Sequence, residues 1–372
     1  MVLFKYFPHG GAQRDAVRLA RELSSRGVRV QVFAHQIEGC APEDIDLVTL
    51  PASGLQNYTK HQSFARQLAE RLTPETYIVS FVRLAQAHHY MAVDPCFKNR
   101  VRGRRPLWVA GLHPRDRYYL DAERRVLTDG RKRFCFLADS HLDDYRSAYP
   151  LNVSRSDILP PEVRDDCRWR SASAGVREDT RKQLGFTQED IVLLAVGSGF
   201  RTKGLDRTID CTARLRAEGH RVTLLVIGDD DESAYRRQAA RASLTDQVRF
   251  LGGRDDLPAL YFAGDVLLHP ARFEAAGKAL VEALAAGVPV LTTDVCGYAG
   301  LVTESGGGIV LPAPFDQQSF EAAAIKLMEG DRRARLSAAA RSFGGSLSEN
   351  AMIGAMADSV ERGLAEHAKR DG

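Results

Sequence analysis

The sequence predicts an α/β protein built from two Rossmann-like, doubly wound domains that face each other across a cleft. Three observations lead there. Apolar runs of strand length alternate with helix-periodic segments on both sides of residue 160. Each half opens on a strand, a glycine-bearing turn and a helix. At 372 residues, the chain is long enough for two separate cores.

In the first half, residues 2–4 form a short apolar run that ends in the turn from Pro8 to Gly11. Ala16, Val17, Leu19, Ala20 and Leu23 then recur at helical spacing up to Gly27. Val28, Val30, Val32 and Phe33 read as the next strand. The short first strand points to a natural start a few residues upstream, and the N-terminus lacks a signal-peptide layout. In the second half, residues 191–197 (IVLLAVG) are uniformly apolar, as a parallel strand buried on both faces must be. A loop, SGFRTKG, leads into a helix over about 205–217. Strand 222–228, a helix to about 243, strand 248–252, a short helix and strand 266–269 follow. A helix over about 275–286 and strand 288–293 complete the alternation.

The boundary falls near 157–175, where LPPEV and SASAG interrupt the pattern. The expected organisation is residues 1–160, residues 161–345, and a C-terminal helix in 346–372. That helix, with Met352, Met356, Val360 and Leu364 on one face, is expected to cross back onto the first domain.

Composition excludes several classes. Hydrophobic residues at 44% and charged residues at 27% are ordinary for a globular protein, and no apolar run reaches membrane-spanning length. The six cysteines are scattered without a C-x-x-C pair, which argues against a metal site or a disulfide scaffold and for a cytoplasmic protein. The net charge of +3 conceals an asymmetry: residues 98–133 hold twelve Lys or Arg against four acids. Such a segment is a solvated face, a nucleic-acid patch or a contact to an anionic membrane. A non-enzymatic nucleic-acid binder is the rival from outside the enzymes, but no RNA-binding signature accompanies the charge. Trp108, with Tyr118 and Tyr119, fits a membrane surface at least as well, with Arg102, Arg104, Arg105 and Arg117 as the basic contacts.

The chemistry concentrates in residues 270–300, PARFEAAGKALVEALAAGVPVLTTDVCGYA. Glu274 and Glu282 flank a helix start that contains Ala275, Ala276, Gly277 and Lys278. Amides of residues 275–279 can hold a diphosphate, helped by the helix dipole. Glu274, before the helix, can accept from sugar hydroxyls, and Glu282, two turns on, can reach a ribose diol. The bland alternative, acids that merely favour a helix N-terminus, is weakened by the Gly287-Val288-Pro289-Val290 that follows.

This pattern resembles the retaining glycosyltransferases of family 4, which have the two-Rossmann GT-B fold. FKYFPHGGAQRD, GSGFRTKGLDR, LLHP, EAAG and LTTDVCGYA are similar to its lipopolysaccharide core glucosyltransferase branch, in the same order over about residues 3–330. The resemblance implies a UDP-hexose donor, glucose first, bound by the second domain, and a lipid-linked oligosaccharide acceptor, a heptose of the lipopolysaccharide core, bound by the first. The same donor chemistry on another glycan acceptor is the alternative. It implies Glu274 as the sugar-contacting acid, Glu282 as the ribose-binding one, and Lys203 as the cation that neutralises the diphosphate. Gly197, Ser198 and Arg201 belong to the Lys203 loop, Gly10 and Gly11 to a turn that closes over the phosphates, and Arg254 to the loop framing the uracil. On the acceptor side it implies Asp94 near the reacting carbon, with His88 or His89 as the competing reading. The Asp229-Asp230-Asp231 run looks metal-like but reads better as a helix N-cap, so no metal or other cofactor is expected. Two departures stand out. The hinge reads Pro160-Pro161-Glu162-Val163 where the family has a glycine after the prolines. Cys167, with Arg168 beside it, occupies the place of an arginine, which leaves a phosphate contact from the hinge in doubt. The expected location is the cytoplasmic face of the membrane, held peripherally.

Overall fold

The computed structural model describes residues 1–8, 10–73 and 75–371, so His9 of the first glycine turn and Gly372 at the C-terminus lie outside the described residues. The chain divides into two compact units, Met1–Pro160 with Asn350–Gly372, and Pro161–Glu349. Each is a parallel sheet wrapped by helices.

In the second unit six parallel strands lie in the order Val248–Gly252, Val222–Ile227, Ile191–Val196, Val266–His269, Val290–Thr293, Gly308–Leu311. The first strand in sequence is therefore central. Leu193, Leu194, Leu224, Leu225, Val266 and Leu267 are fully buried, which is why these segments read as continuous apolar runs. The chain winds outward one way, then returns to the centre and winds the other way, so the strand order reverses between Ile191–Val196 and Val266–His269.

Three local expectations are corrected. The helix expected from 275 begins at Lys278, because Gly277 takes a left-handed φ of 92° that a helix cannot continue through. The loop after Val196 contains a one-turn helix, Phe200–Lys203, closed on both sides by left-handed glycines, Gly199 and Gly204. At Gly204 a Cβ would meet the Pro270 carbonyl oxygen at 2.1 Å, so only glycine fits. The aspartate run ties loops together more than it caps. Asp229 accepts from the Gly253 amide at 2.7 Å and Asp230 from the Phe200 amide at 2.8 Å, while Asp231 alone reaches its own helix, at Ser233 N.

In the first unit, Val2 bridges Phe33 and Ser80 in parallel register. It joins the pair Leu47–Thr49 and Val32–Ala34 to the row Val79–Ser80, His89–Met91, Arg133–Phe136, Ser156–Ile158. The strand expected from Val28 forms only over Val32–Ala34. Helix Ala351–Asp371 buries Met352, Met356 and Val360 and packs on helix Gly11–Ser25. Arg26 bridges to Asp358 and Glu361 at 2.6 and 2.9 Å, and Arg133 to Glu366 at 2.9 Å.

Beneath this helix lies His89, fully buried, with the Tyr77 hydroxyl at 3.4 Å from Nδ1 and Cys135 Sγ at 3.3 Å from Nε2. Burial, with Arg133 nearby, pushes its imidazole down to about 3. The unfolded chain takes up a proton near the ordinary histidine value, about 6.5, whereas the folded chain does not, so stability falls as pH drops below that value. At pH 5 this single group costs about 2 kcal/mol. Urea midpoints should therefore decline from pH 7 to pH 5 in the wild type and decline less in His89→Gln; parallel declines would contradict this account.

Candidate active site

The site forms where the winding of the second unit reverses. At such a switch point the loops leaving the two central strands diverge and open a crevice at their carboxyl ends. One loop, 197–204, brings Lys203; the other, 270–277, brings Glu274. The Lys203 ammonium is hydrogen-bonded to Glu274 Oε2. His269, which closes the apolar strand Val266–His269, places Nε2 at 3.3 Å from the same oxygen. The Thr292 hydroxyl holds the His269 carbonyl at 3.0 Å.

The Glu274 side chain is only 12% exposed. Burial by itself would raise its carboxyl, yet Lys203 and His269 outweigh burial and hold it at about 2. Burial pulls His269 below the ordinary histidine value. At neutral pH the cluster is thus a carboxylate tied to a lysine, with a neutral imidazole behind it.

The lysine loop is pinned from three sides. Asp230 accepts from Phe200 N, Arg272 N donates to the Thr202 carbonyl at 2.8 Å, and the Arg272 guanidinium grips Asp206 at 2.6 and 2.7 Å while donating to the Arg201 carbonyl at 3.0 Å. Gly197 has φ 123°, and a Cβ there would sit 3.2 Å from Lys203 Cε, crowding the lysine stem. The Ser198 hydroxyl accepts from Asp229 N at 3.1 Å. Opposite, Ala275 and Ala276 are buried, and the turn is held by Gly297 N on the Glu274 carbonyl at 3.2 Å and Tyr298 N on the Ala276 carbonyl at 2.7 Å. Helix Lys278–Ala285 starts directly after this turn, and Leu280 N donates to the Gly277 carbonyl at 2.9 Å. On the same helix, Glu282 accepts from the Tyr261 hydroxyl at 3.0 Å.

The structure therefore brings Lys203 and Glu274 together, with Gly197 and Ser198 on the lysine's loop, Ala275, Ala276, Gly277 and Lys278 following the glutamate, and Glu282 further along the same helix. Arg201, on the lysine's loop, is exposed. Arg254 is exposed on its own loop and forks onto Asp256 at 2.6 and 2.8 Å. Arg168 donates to the Gly344 and Leu347 carbonyls, closing the end of helix Gly330–Ser346, and is thereby committed to structure. Sequence reasoning missed His269 and Arg272; a histidine ending an otherwise apolar strand was the available signal for the first.

The remaining expected residues belong to the first unit. Gly10 precedes helix Gly11–Ser25 with extended backbone at φ −76°. The Asp94 side chain is 60% exposed and receives Arg83 Nη1 at 3.3 Å. Arg83 is itself fixed by Glu123, at 2.9 Å, and by the Pro95 carbonyl, at 3.0 Å. Both histidines upstream are structural: His88 stacks on Tyr77 and accepts from Ile78 N, and His89 is buried.

The basic segment divides as well. Lys132 and Arg133 are buried, Arg124 and Arg125 pair with Asp121, and Arg131 pairs with Asp129. Arg102, Arg104 and Arg117 are exposed, and Arg105 approaches Asp116 at 3.7 Å. Trp108 and Leu112, one turn apart on helix Leu107–Leu112, are each 74% exposed. Tyr118 and Tyr119, expected to join them, pack instead against each other and His61. Among the described residues no helix is long and apolar enough to cross a membrane, and no group of three His, Cys, Asp or Glu could hold a metal ion.

Comparison with known proteins gives a consistent picture. The family described as glycosyl transferases group 1 matches residues 176–343. Lipopolysaccharide glucosyltransferase WaaG of Escherichia coli (strain K12) is 34% identical over 322 residues, 86% of each chain. A crystal structure of WaaG, described as a glycosyltransferase involved in lipopolysaccharide biosynthesis, superposes with a TM-score of 0.89 at 32% identity, covering 96% of this chain and 98% of that one. Anabaena Alr3699/HepE, solved with UDP-glucose, shares the fold with a TM-score of 0.71 at 16% identity, over 98% of this chain and 99% of that one.

Proposed function

This chain belongs to the group 1 glycosyl transferases, and on that premise we propose that it moves a hexose, glucose first, from a UDP-sugar to a heptose of the lipopolysaccharide inner core with retention of configuration. The observation that supports the donor side is the Lys203–Glu274–His269 cluster at the switch point, beside the start of helix Lys278–Ala285. It joins a cation and a carboxylate beside a helix start. The similarity to WaaG along 86% of both chains supports the acceptor.

On this reading the donor diphosphate lies over the helix-start amides. Lys203 leaves Glu274 for the phosphate oxygens, and Glu274, kept in place by His269, accepts from hydroxyls of the sugar. Rupture of the glycosidic C–O bond puts negative charge on the departing diphosphate, and the lysine and the amides stabilise it as it develops. The acceptor hydroxyl approaches on the face the diphosphate leaves. Glu274 binds and orients; it is not a nucleophile. Glu282 serves the ribose and Arg254 the uracil loop. Gly10 and Gly11 serve the phosphates, and Asp94 is the acceptor-side group. The protein works at the cytoplasmic face of the membrane, touching anionic lipid through Arg102, Arg104, Arg105, Trp108 and Arg117.

Adding a lipid-linked core acceptor to protein and UDP-glucose should release UDP, and a chelator should leave the rate largely intact. UDP-glucose that stays whole with acceptor present would count against transfer to this acceptor. Strict dependence on Mn²⁺ would count against a lysine-and-amide leaving-group site.

A further inference from the structure

Arginines gather around a recess beside Phe97 in the first unit. Phe97 is buried and opens helix Phe97–Arg102. That start is held by Glu123, which is fully buried and accepts from Phe97 N at 2.7 Å and Lys98 N at 2.9 Å. Three guanidiniums stand over the one ring: Arg100 at 5.7 Å from its centroid, Arg83 at 5.9 Å and Arg115 at 5.9 Å. The recess beside the ring is lined by Arg100, Arg104, Arg105 and Arg115, with Asp116 as the acid among its described lining residues. Asp116 is already engaged, at 3.2 Å from Arg115 and 3.7 Å from Arg105. Among the described residues Arg100 makes no ion pair. Burial, joined by Arg104, Arg83 and Arg115, pulls its guanidinium below the ordinary value in spite of Asp94.

Like charges gathered in one recess repel, and Asp116, shared between Arg115 and Arg105, offsets only part of that repulsion. Arg104 and Arg115 reach water, whereas Arg100 is half-buried beside them. The recess also has informative neighbours. Arg83, over the same ring, reaches Asp94 with Nη1. Ring contacts also run from Phe97 to Tyr119 at 5.4 Å and on to His61 at 5.6 Å, which stacks on Phe4 at 3.5 Å and with them forms the aromatic wall. Aromatic surface with a few convergent polar groups is the usual lining of a small-molecule site.

We infer that this recess binds a phosphate or carboxylate substituent of the acceptor saccharide, while the aromatic wall takes the adjoining sugar ring. The inference rests on reading the chain as a transferase to a glycan acceptor. Guanidinium groups fork onto oxyanions with two parallel N–H bonds, and Arg100 and Arg115, which take no part in the lipid contact proposed above, are set to do so within the recess.

Transfer from UDP-glucose is to be measured with two soluble acceptor fragments that differ only in one phosphate group. The wild type should show a KM for the phosphorylated fragment lower by about tenfold or more, the scale of a charge-assisted hydrogen bond. The double variant Arg100→Gln/Arg115→Gln should raise that KM to the value for the unphosphorylated fragment. Equal wild-type KM values for the two fragments would overturn the recess and leave the transferase reading standing. Transfer to neither fragment would count against that reading instead. The recess is then decided by calorimetric titration with glucose 6-phosphate against glucose. Tighter binding of the phosphorylated sugar that the double variant loses supports it; equal binding, or none, overturns it. Vesicles of anionic phospholipid separate the remaining source of phosphate. The double variant should sediment with them as the wild type does. Loss of sedimentation with the acceptor KM at its wild-type value would assign the recess to lipid headgroups and overturn the proposal.

Discussion

Replacing Lys203 with alanine is expected to lower kcat/KM by ~10²-fold or more, the usual cost of removing one group that stabilises developing charge. Glu274→Ala should cost as much, because the sugar loses its hydrogen-bond acceptor, whereas Glu282→Ala should mainly raise the KM for donor. The structure adds a complication that the sequence did not show. Lys203 is also the counter-ion of a carboxylate that is only 12% exposed. Breaking such a pair leaves a charge buried with a neutral imidazole, at a cost of about 3 kcal/mol. Lys203→Ala should therefore lower the melting temperature together with turnover, and activity alone would confuse the two effects. The double variant Lys203→Ala/Glu274→Gln separates them by removing the stranded charge. Its melting temperature should recover towards the wild-type value while its turnover stays low. Near-normal turnover in Lys203→Ala would sink the leaving-group role. The pair also has a pH signature. Glu274 lies below its ordinary value, so its contribution to stability is complete above about 4.5 and is lost as pH falls towards about 2. In Lys203→Ala that loss should move to higher pH.

Vesicles containing anionic lipid should retain the protein at low salt and release it near about 0.5 M salt, because added ions screen the attraction. Replacing Arg102, Arg104, Arg105 and Arg117 with Gln should abolish retention, since each basic residue near such a surface contributes ~1 kcal/mol. The variant should still transfer to a neutral soluble acceptor fragment, which asks nothing of the membrane. Trp108 and Leu112, each 74% exposed and one turn apart, give the same face an apolar component that salt does not screen. Trp108→Ala should therefore lower the salt concentration at which the vesicles release the protein. Sedimentation of the quadruple variant as efficiently as the wild type would place the membrane contact elsewhere on the chain.

Much of this protein is legible in one dimension. The alternation of apolar strands with periodic helices specifies doubly wound parallel sheets, because a strand buried on both faces must be apolar throughout and its crossover needs a helix. The stretch from Glu274 to Glu282 is equally local: a turn, a glycine and a helix start are adjacent in sequence, so the chemistry they allow can be read directly. The basic excess of residues 98–133 is visible by counting.

Tertiary structure decided what those residues face. Lys203 and Glu274 are 71 positions apart and meet only because the strands before them are neighbours at the reversal of the sheet. His269 became part of the cluster because its strand ends there. The twelve basic residues fall into buried, paired and exposed sets, and the fold brings Arg133 its partners Asp157 and Glu366 from distant segments. Arg168, whose role in the sequence was open, was taken up by the carbonyls of a distant helix end. Periodicity and propensity act over a few residues, whereas charge pairing and burial depend on distance in space, and that distance exists only once the sheets have closed.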